Sequence, residues 1–298
     1  MRITICGTGA MACLFGARLA RHAEVTLVGT WPEGIEAIRA GGIRVEGGES
    51  VTATGIASAA LGAQVAPADL LLVLVKSWQT AKVAPHVASL LKPGGAGLTL
   101  QNGLGNLEAL GAGFCLGTTD EGGTLLGPGH VSWGGSGPTY AAAPSWVIDM
   151  LSGAGFEAVQ CEPTTAVEHL WSKLSANCGI NALTALLRVP NGGLLEIPEA
   201  VALMGRAASE CVEVARAKGI DLPQGDPAAR AHEVARRTAR NNSSMLQDIL
   251  RGAPTECDAI NGAVTHEANL LGMAAPVNAI LWLLVRAAAA KCVKRDGT

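Results

Sequence analysis

Apolar residues follow two rhythms along this chain. Up to about residue 163 they come in short runs broken by glycine: Arg2 to Cys6, Glu24 to Val28, Leu70 to Val75 and Gly97 to Leu100. A run this short between turn signals reads as a strand, and an unbroken aliphatic one as a strand covered on both faces. Between the first two runs, Ala10, Leu14, Ala17 and Leu19 recur at helical spacing. Trp78 to Leu91 reads as a crossover helix, stopped by Pro93-Gly94-Gly95. Strands alternating with helices predict a doubly wound parallel sheet. From Gly117 the texture turns Gly- and Thr-rich. Val131 to Trp133 then predicts antiparallel hairpins at the far side of that sheet, and Phe156 to Cys161 its last strand. After Pro163 the rhythm is helical throughout, with Thr164 as a cap for a helix reaching Leu187. Further helices are expected over 199–217, 227–240, 244–250, 255–271 and 276–291. The chain reads as an α/β domain over 1–163 followed by an all-helical domain over 164–298.

Composition narrows the classes. A net charge of −3 gives no basic footprint for nucleic acid. The longest clean apolar run, Leu70 to Val75, is far short of a membrane span, and Arg286 interrupts the apolar C-terminal stretch. Gly7, Gly9 and Gly16 break the N-terminal apolar region, which argues against a signal peptide. The 8 cysteines form no C-x-x-C pair and read as reduced thiols of a cytoplasmic protein, while the 6 histidines lack metal-ligand spacing.

Gly7-Thr8-Gly9-Ala10-Met11-Ala12 fits G-x-G-x-x-A. The first glycine allows a tight turn, the second lets the backbone approach a pyrophosphate, and the small third residue lets helix pack on strand. The helix N-terminus then presents free N–H groups to the phosphates. Standing between a strand and a helix, this motif predicts a Rossmann-type dinucleotide site. An acidic residue at the end of the second strand favours NAD and a basic one NADP. Thr30 stands there and gives neither signal, and Glu33 reads as a solvated loop residue. Lys76 follows the aliphatic strand, where it either meets the cofactor or starts an exposed helix. Asn102, in Gln101-Asn102-Gly103, lies at another strand end facing the ligand crevice.

Lys173, Asn177 and Asn181 recur every four residues, a polar stripe on an otherwise apolar helix. A solvent-facing stripe would carry carboxylates, and this one has none. A polar ligand explains its residue types better, because asparagine is a mediocre helix former. Ser243 or Ser244 reads as a helix N-cap, and Glu256 as a first-turn acid favoured by the helix dipole.

Taken in order, these blocks resemble the ketopantoate reductase (2-dehydropantoate 2-reductase) family. Leu170-Trp171-Ser172-Lys173-Leu174, Pro190-Asn191-Gly192, Ser243 to Asp248, Thr255-Glu256 and Ile260-Asn261-Gly262 belong to the same pattern, which spans nearly the whole chain. The resemblance implies NADPH-dependent reduction of a 2-oxo acid, 2-dehydropantoate, to (R)-pantoate on the way to pantothenate and coenzyme A. It places the general acid on Lys173 and substrate contacts on Asn102, Asn177, Asn181, Asn191, Ser244 and Glu256. It gives the cofactor Gly7 to Ala12, Thr30, Lys76 and Asn102, and it implies no metal. A lysine of ordinary pKa, about 10.4, starts protonated and can supply a proton. The family often carries an arginine where Thr30 stands, so NAD is an alternative cofactor. A relative acting on another 2-oxo acid or carbonyl, and a non-catalytic dinucleotide-binding protein, are the competing readings. The low charge of the helical region leaves room for a homodimer.

Overall fold

The computed structural model describes residues 1–47 and 50–293, with side chains up to residue 290. Cys292 therefore lies outside the described side chains. The chain forms two compact units. One comprises Met1–Gln101 and Asn106–Ala166; the other comprises Asn102–Gly105 and the chain from Val167 onward.

The first unit runs β1 (Arg2–Cys6), α1 (Ala10–Leu19), β2 (Glu24–Gly29), α2 (Pro32–Gly41), β3 (Ile43–Glu46), β4 (Val51–Ala53) and β5 (Ala57–Ala60). It continues with β6 (Ala68–Val73), α3 (Thr80–Leu90), β7 (Leu91–Thr99), α4 (Asn106–Leu110), β8 (Phe114–Thr119) and β9 (Gly122–Gly127). β10 (His130–Gly135), β11 (Thr139–Ala141), α5 (Ser145–Gly153) and β12 (Ala158–Gln160) complete it. The main sheet has the order β12-β11-β8-β7-β6-β1-β2-β5, parallel except where β11 meets β8. β6 shows why it is central. Leu70, Leu71, Leu72 and Val73 are all fully buried, Leu70 and Leu72 in one hydrophobic cluster and Leu71 and Val73 in another. Successive side chains point to opposite faces, so only a strand covered on both sides buries all four.

The hairpin around Val131 to Trp133 does not extend the main sheet. β9 and β10 join β3 and β4 in a separate sheet of order β4-β3-β10-β9. This second sheet covers α1, which touches β1 and β2 as well as β3, β9 and β10. Enclosed this way, α1 buries Ala12 through Ala17 and Leu19. Gly16 leaves no room for more: a Cβ there would stand 3.0 Å from Leu27 Cδ1 and 3.3 Å from Ile43 Cδ1.

Other expectations in this unit shift, the last strand shortening from Phe156–Cys161 to Ala158–Gln160. The crossover helix begins at Thr80, after a 3-10 turn over Ser77–Gln79. Pro93-Gly94-Gly95 is a bulge inside β7 rather than a stop before it. Ala68 pairs with Leu91 and Leu70 with Ala96, so residues 92–95 stand opposite Asp69 alone. Lys92 Nζ donates to Asp69 at 2.7 Å across the bulge. Glu33 lies in the first turn of α2, not in a loop.

The second unit holds α6 (Pro163–Leu187, which begins in the first unit), α7 (Pro198–Ala217), α8 (Pro227–Arg237), α9 (Ser244–Leu250), α10 (Ala263–Leu270) and α11 (Pro276–Val293). Pro163 opens α6, where its missing N–H costs nothing, so Thr164 is inside the helix rather than its cap. The helix expected over 255–271 is split: Asp258–Gly262 is a π-helical turn that leads into α10. α6 crosses α7 closely, since a Cβ on Gly179 would meet Met204 Cγ and its carbonyl oxygen at 2.7 Å. No helix among the described residues is long and apolar enough to cross a membrane.

A partly buried ion pair ends α1. The Arg18 guanidinium lies 4.4 Å above the Trp133 ring and 4.7 Å above Phe156, which stacks on Phe15. Its Nη1 faces Glu121 Oε1 at 3.7 Å, while Trp133 Nε1 donates to Glu121 Oε2 at 2.8 Å. Burial pushes the Glu121 carboxyl above the usual range, against the Trp133 hydrogen bond and the Arg18 charge. Arg18→Met is expected to lower the unfolding free energy by about 3 kcal/mol, because removing one partner strands the other charge. Arg18→Met combined with Glu121→Gln should recover most of that loss in urea unfolding. Equal destabilisation of single and double variants would show that the ring packing, not the pair, holds the helix end.

Candidate functional site

The glycine loop is built by the ends of three parallel strands. Gly7 N–H donates to Val28 O at 2.8 Å and Leu74 N–H to Cys6 O at 2.8 Å, which draws the ends of β1, β2 and β6 together. Gly7 has φ +132°, and a Cβ on it would lie 3.0 Å from the Leu74 oxygen and 3.3 Å from Ala12 Cβ. Glycine at 7 and a small residue at 12 are therefore steric requirements of the turn. A Cβ on Gly9 would meet nothing within 4 Å, so the loop is open on that side. α1 starts at Ala10 with no side chain capping its N-terminus. An open glycine and an uncapped ten-residue helix fit the pyrophosphate of a dinucleotide. The Thr8 side chain turns inward instead. It is buried, and a Cβ on Gly29 would stand 2.7 Å from its Cγ2.

Below the loop, burial pushes the Cys6 and Cys13 thiols up to about 12, so neither is a nucleophile at neutral pH. Thr30 is exposed at the end of β2, where its hydroxyl accepts from Gln79 Nε2 at 3.0 Å. Gln79 Oε1 in turn accepts from the Lys76 backbone N–H at 3.3 Å. Gln79 was not a candidate from sequence, yet it links two residues that were. Lys76 is half-buried ahead of the 3-10 turn and so does not start an exposed helix. Gln101 fixes the neighbouring strand ends: its Nε2 donates to Val75 O and Thr80 Oγ1, both at 2.8 Å. A buried glutamine that cross-links two loops has no signature in a linear sequence.

The remaining candidates lie in the second unit. Along α6, Lys173 and Asn177 are half-buried and Asn181 is buried, so the stripe does not face bulk solvent. Ser172, beside Lys173, accepts from Arg230 Nη1 at 2.7 Å. Thr184 Oγ1 shares a 2.7 Å hydrogen bond with Ser243 Oγ and lies 3.1 Å from Asn181 O. That bond brings the start of α9, and with it Ser244, to the Asn181 turn. Ser243 is the cap of α9, accepting from Leu246 N–H at 3.1 Å.

Asn191 is buried and holds the turn after α6: its N–H donates to Asn241 O at 3.0 Å and its Nδ2 to Thr238 Oγ1 at 2.8 Å. Glu256 is buried just before the π turn rather than in a helical first turn, so the helix dipole alone does not account for it. Asn102 is half-buried on a segment tied to that same turn, with Leu104 N–H donating to Ala259 O at 2.9 Å. Gly103 makes the approach possible: it has φ +82°, and a Cβ there would fall 2.5 Å from the Ala259 oxygen. Within this unit, then, a cationic donor, neutral amides, a hydroxyl and a carboxylate share α6 and the elements bonded to it. Such a set can orient a small polar ligand and protonate it.

Comparison with known proteins gives this arrangement a context. Residues 3–146 match the family model "Ketopantoate reductase PanE/ApbA", and residues 166–289 match "Ketopantoate reductase PanE/ApbA C terminal". A 2-dehydropantoate 2-reductase of Halobacterium salinarum is 38% identical across the full length of both chains. Another from Archaeoglobus fulgidus is 33% identical over 96% of this chain and 97% of its own. Among solved structures, a PanE/ApbA family ketopantoate reductase from Ralstonia eutropha superposes with a TM-score of 0.89 at 31% identity, covering 98% of this chain and 99% of the other. A D-mandelate dehydrogenase solved with NADH and anilino(oxo)acetate gives 0.90 at 26% identity, with 98% and 99% covered.

Proposed function

The chain belongs to the ketopantoate reductase family, and from that premise we propose that it reduces 2-dehydropantoate to (R)-pantoate with NADPH, supplying pantothenate and coenzyme A synthesis. The observation that carries this reading is the sheltered Lys173-Asn177-Asn181 stripe, in a chain whose full-length relatives bear that name. We assign the first unit to the dinucleotide and the second to substrate and proton transfer. Free thiols such as Cys6 and Cys13 suit a cytoplasmic setting.

When bound, a reduced nicotinamide would supply a hydride to the ketone carbon. The backbone N–H groups of Gly9 to Ala12 would hold the pyrophosphate, and Lys76 would serve the phosphate end of the cofactor, partly replacing the cation that Thr30 does not supply. Lys173 Nζ, as an ammonium, offsets the charge that grows on the ketone oxygen and then gives it a proton. Asn102, Asn177 and Asn181 orient the substrate, with Asn191 at its edge. Ser244 takes the carboxylate, and Glu256 accepts from the substrate's hydroxyl.

A second reading has its own support. The neutral Thr30–Gln79 pair at the end of β2 lacks the cation expected for a 2′-phosphate, and the D-mandelate dehydrogenase likeness comes with NADH and a different oxo acid. The two readings part in one assay: purified protein with 2-dehydropantoate or phenylglyoxylate, and NADPH or NADH, followed by loss of reduced cofactor. No turnover of 2-dehydropantoate with either cofactor sinks the first reading.

Lys173→Ala should lower kcat by roughly a hundredfold or more, the usual range for losing a general acid, while leaving cofactor binding by fluorescence intact. Near-normal kcat would remove Lys173 from the chemistry. Thr30→Arg should raise the NADPH-to-NADH ratio of kcat/KM about tenfold, as one new charge-assisted contact would. An unchanged ratio would mean that Thr30 does not face the ribose.

The outward face of α11 supports a homodimer. Ile280, Leu283 and Leu284 are 58%, 59% and 49% exposed as one apolar patch, which matches the same patch on a second copy. Light scattering after gel filtration should give twice the chain mass, falling to one with Leu283→Glu. A monomeric wild type would refute the dimer.

A further inference from the structure

The π turn Asp258–Gly262 carries a buried asparagine that none of the roles above uses. Asn261 is fully buried, and its Nδ2 donates to Cys178 O at 2.8 Å and to Asn278 Oδ1 at 3.0 Å. Cys178 is the residue after Asn177, so this bond grips α6 in the middle of its polar stripe.

The direction of these bonds is dictated from the far end of the network. Glu210 on α7, as a carboxylate, only accepts hydrogen bonds. It takes the N–H groups of Val277 and Asn278 at the start of α11, both at 2.9 Å, and Asn278 Nδ2 at 2.8 Å. Asn278 Nδ2 also donates to Ala207 O at 3.0 Å, which leaves its Oδ1 as the acceptor facing Asn261. Asn261 must therefore present its Nδ2, and that same nitrogen reaches Cys178 O. Its Oδ1 is left buried with no hydrogen-bond partner. A buried unpaired carbonyl carries a desolvation cost, so this orientation is retained against a penalty.

The turn holds two other pieces at once. Ala259 O accepts from Leu104 N–H at 2.9 Å, fixing the segment that bears Asn102. Glu256 leads into the turn, its backbone oxygen accepting from Ala259 and Ile260 N–H groups at 3.1 Å. The turn is also wedged from outside: Trp282 Nε1 donates to Asp258 Oδ1 at 2.6 Å, and a Cβ on Gly262 would stand 2.9 Å from that ring. π turns cost helix regularity and recur at functional sites.

We propose that Asn261, polarised through Asn278 by Glu210, is a positioning residue for the reduction. It sets the α6 stripe in register with Glu256 and the Asn102 segment, and so governs binding and orientation of the oxo acid but not of the dinucleotide. This rests on the reductase reading above.

The test uses full-length protein in steady-state assays, with dinucleotide affinity measured separately by fluorescence. Asn261→Ala should lower kcat/KM for 2-dehydropantoate roughly tenfold to a hundredfold, the scale of a small misplacement of reacting groups. The dinucleotide dissociation constant should stay within about twofold, well under the tenfold that 1.4 kcal/mol represents. Asn261→Ser, which keeps one donor, should recover part of the loss. Turnover at wild-type levels in a folded Asn261→Ala protein overturns the proposal, and so does a parallel loss of dinucleotide affinity. If Asn261→Ala does not fold, Asn261→Ser and Glu210→Gln decide by the same two measurements. Failure of all three to fold would make the network purely structural and would also overturn it. A wild type inactive on 2-dehydropantoate instead removes the reductase reading itself, which the wild-type arm reveals separately.

Discussion

A polar side chain taken out of water must find partners, and in the helical unit that requirement organises everything around α6. The helix is 25 residues long and carries Ser175, Asn181 and Thr184 as buried groups among apolar neighbours. Thr184 answers by bonding its own backbone and Ser243. The Cys178 carbonyl answers through Asn261. Each answer draws another element in: the cap of α9, the π turn, and behind it α7 and the start of α11. Apolar packing fills the unit with Leu174, Met204, Val212 and Val264, but such contacts are tolerant of small shifts. The hydrogen bonds are not, and they are what give this core a single arrangement.

In the other unit the controlling constraint is steric. Main chain approaches main chain at Gly7 and Leu74, and helix approaches strand at Gly16 and Leu27. Both contacts tolerate almost no side chain. α1 is thereby held along its whole length, with its N-terminus left uncapped and its C-terminus closed by Arg18 stacked on two aromatic rings.

The sequence was most legible where a single local force decides the structure. β1, α1, β2 and β6, the glycine loop, and helices α7 and α9 follow from hydrophobic rhythm and capping, and their ends fall within a few residues of expectation. Between Pro32 and Ala60 no local pattern announces an element, because strands such as Ala57–Ala60 carry too little apolar bulk. The β9–β10 hairpin is visible locally, but the sheet it joins is not, since its partner β3 lies far away in the chain. Pro93-Gly94-Gly95 has the chemistry of a turn, and the bulge it forms is one locally. On the candidate site, the stripe of α6 was readable from its spacing, whereas Gln79, Gln101 and Asn261 act through partners distant in sequence. The motif Ile260-Asn261-Gly262 was visible, but its place in a π turn depends on contacts with α6 and α11 that no local pattern encodes.

The Asn102–Gly105 segment has a consequence for how such a chain can be recombined. By its packing it is part of the helical unit, although the residues on either side of it belong to the other. A chimera that exchanged everything from Val167 onward between two relatives would thus bring a foreign Ala259 carbonyl to a native Leu104 N–H. The natural exchangeable module is discontinuous: the helices together with four residues from the middle of the preceding sheet domain. Substitutions in the π turn and in that short segment should accordingly be inherited as a set, and breakpoints that separate them should be the ones selection removes.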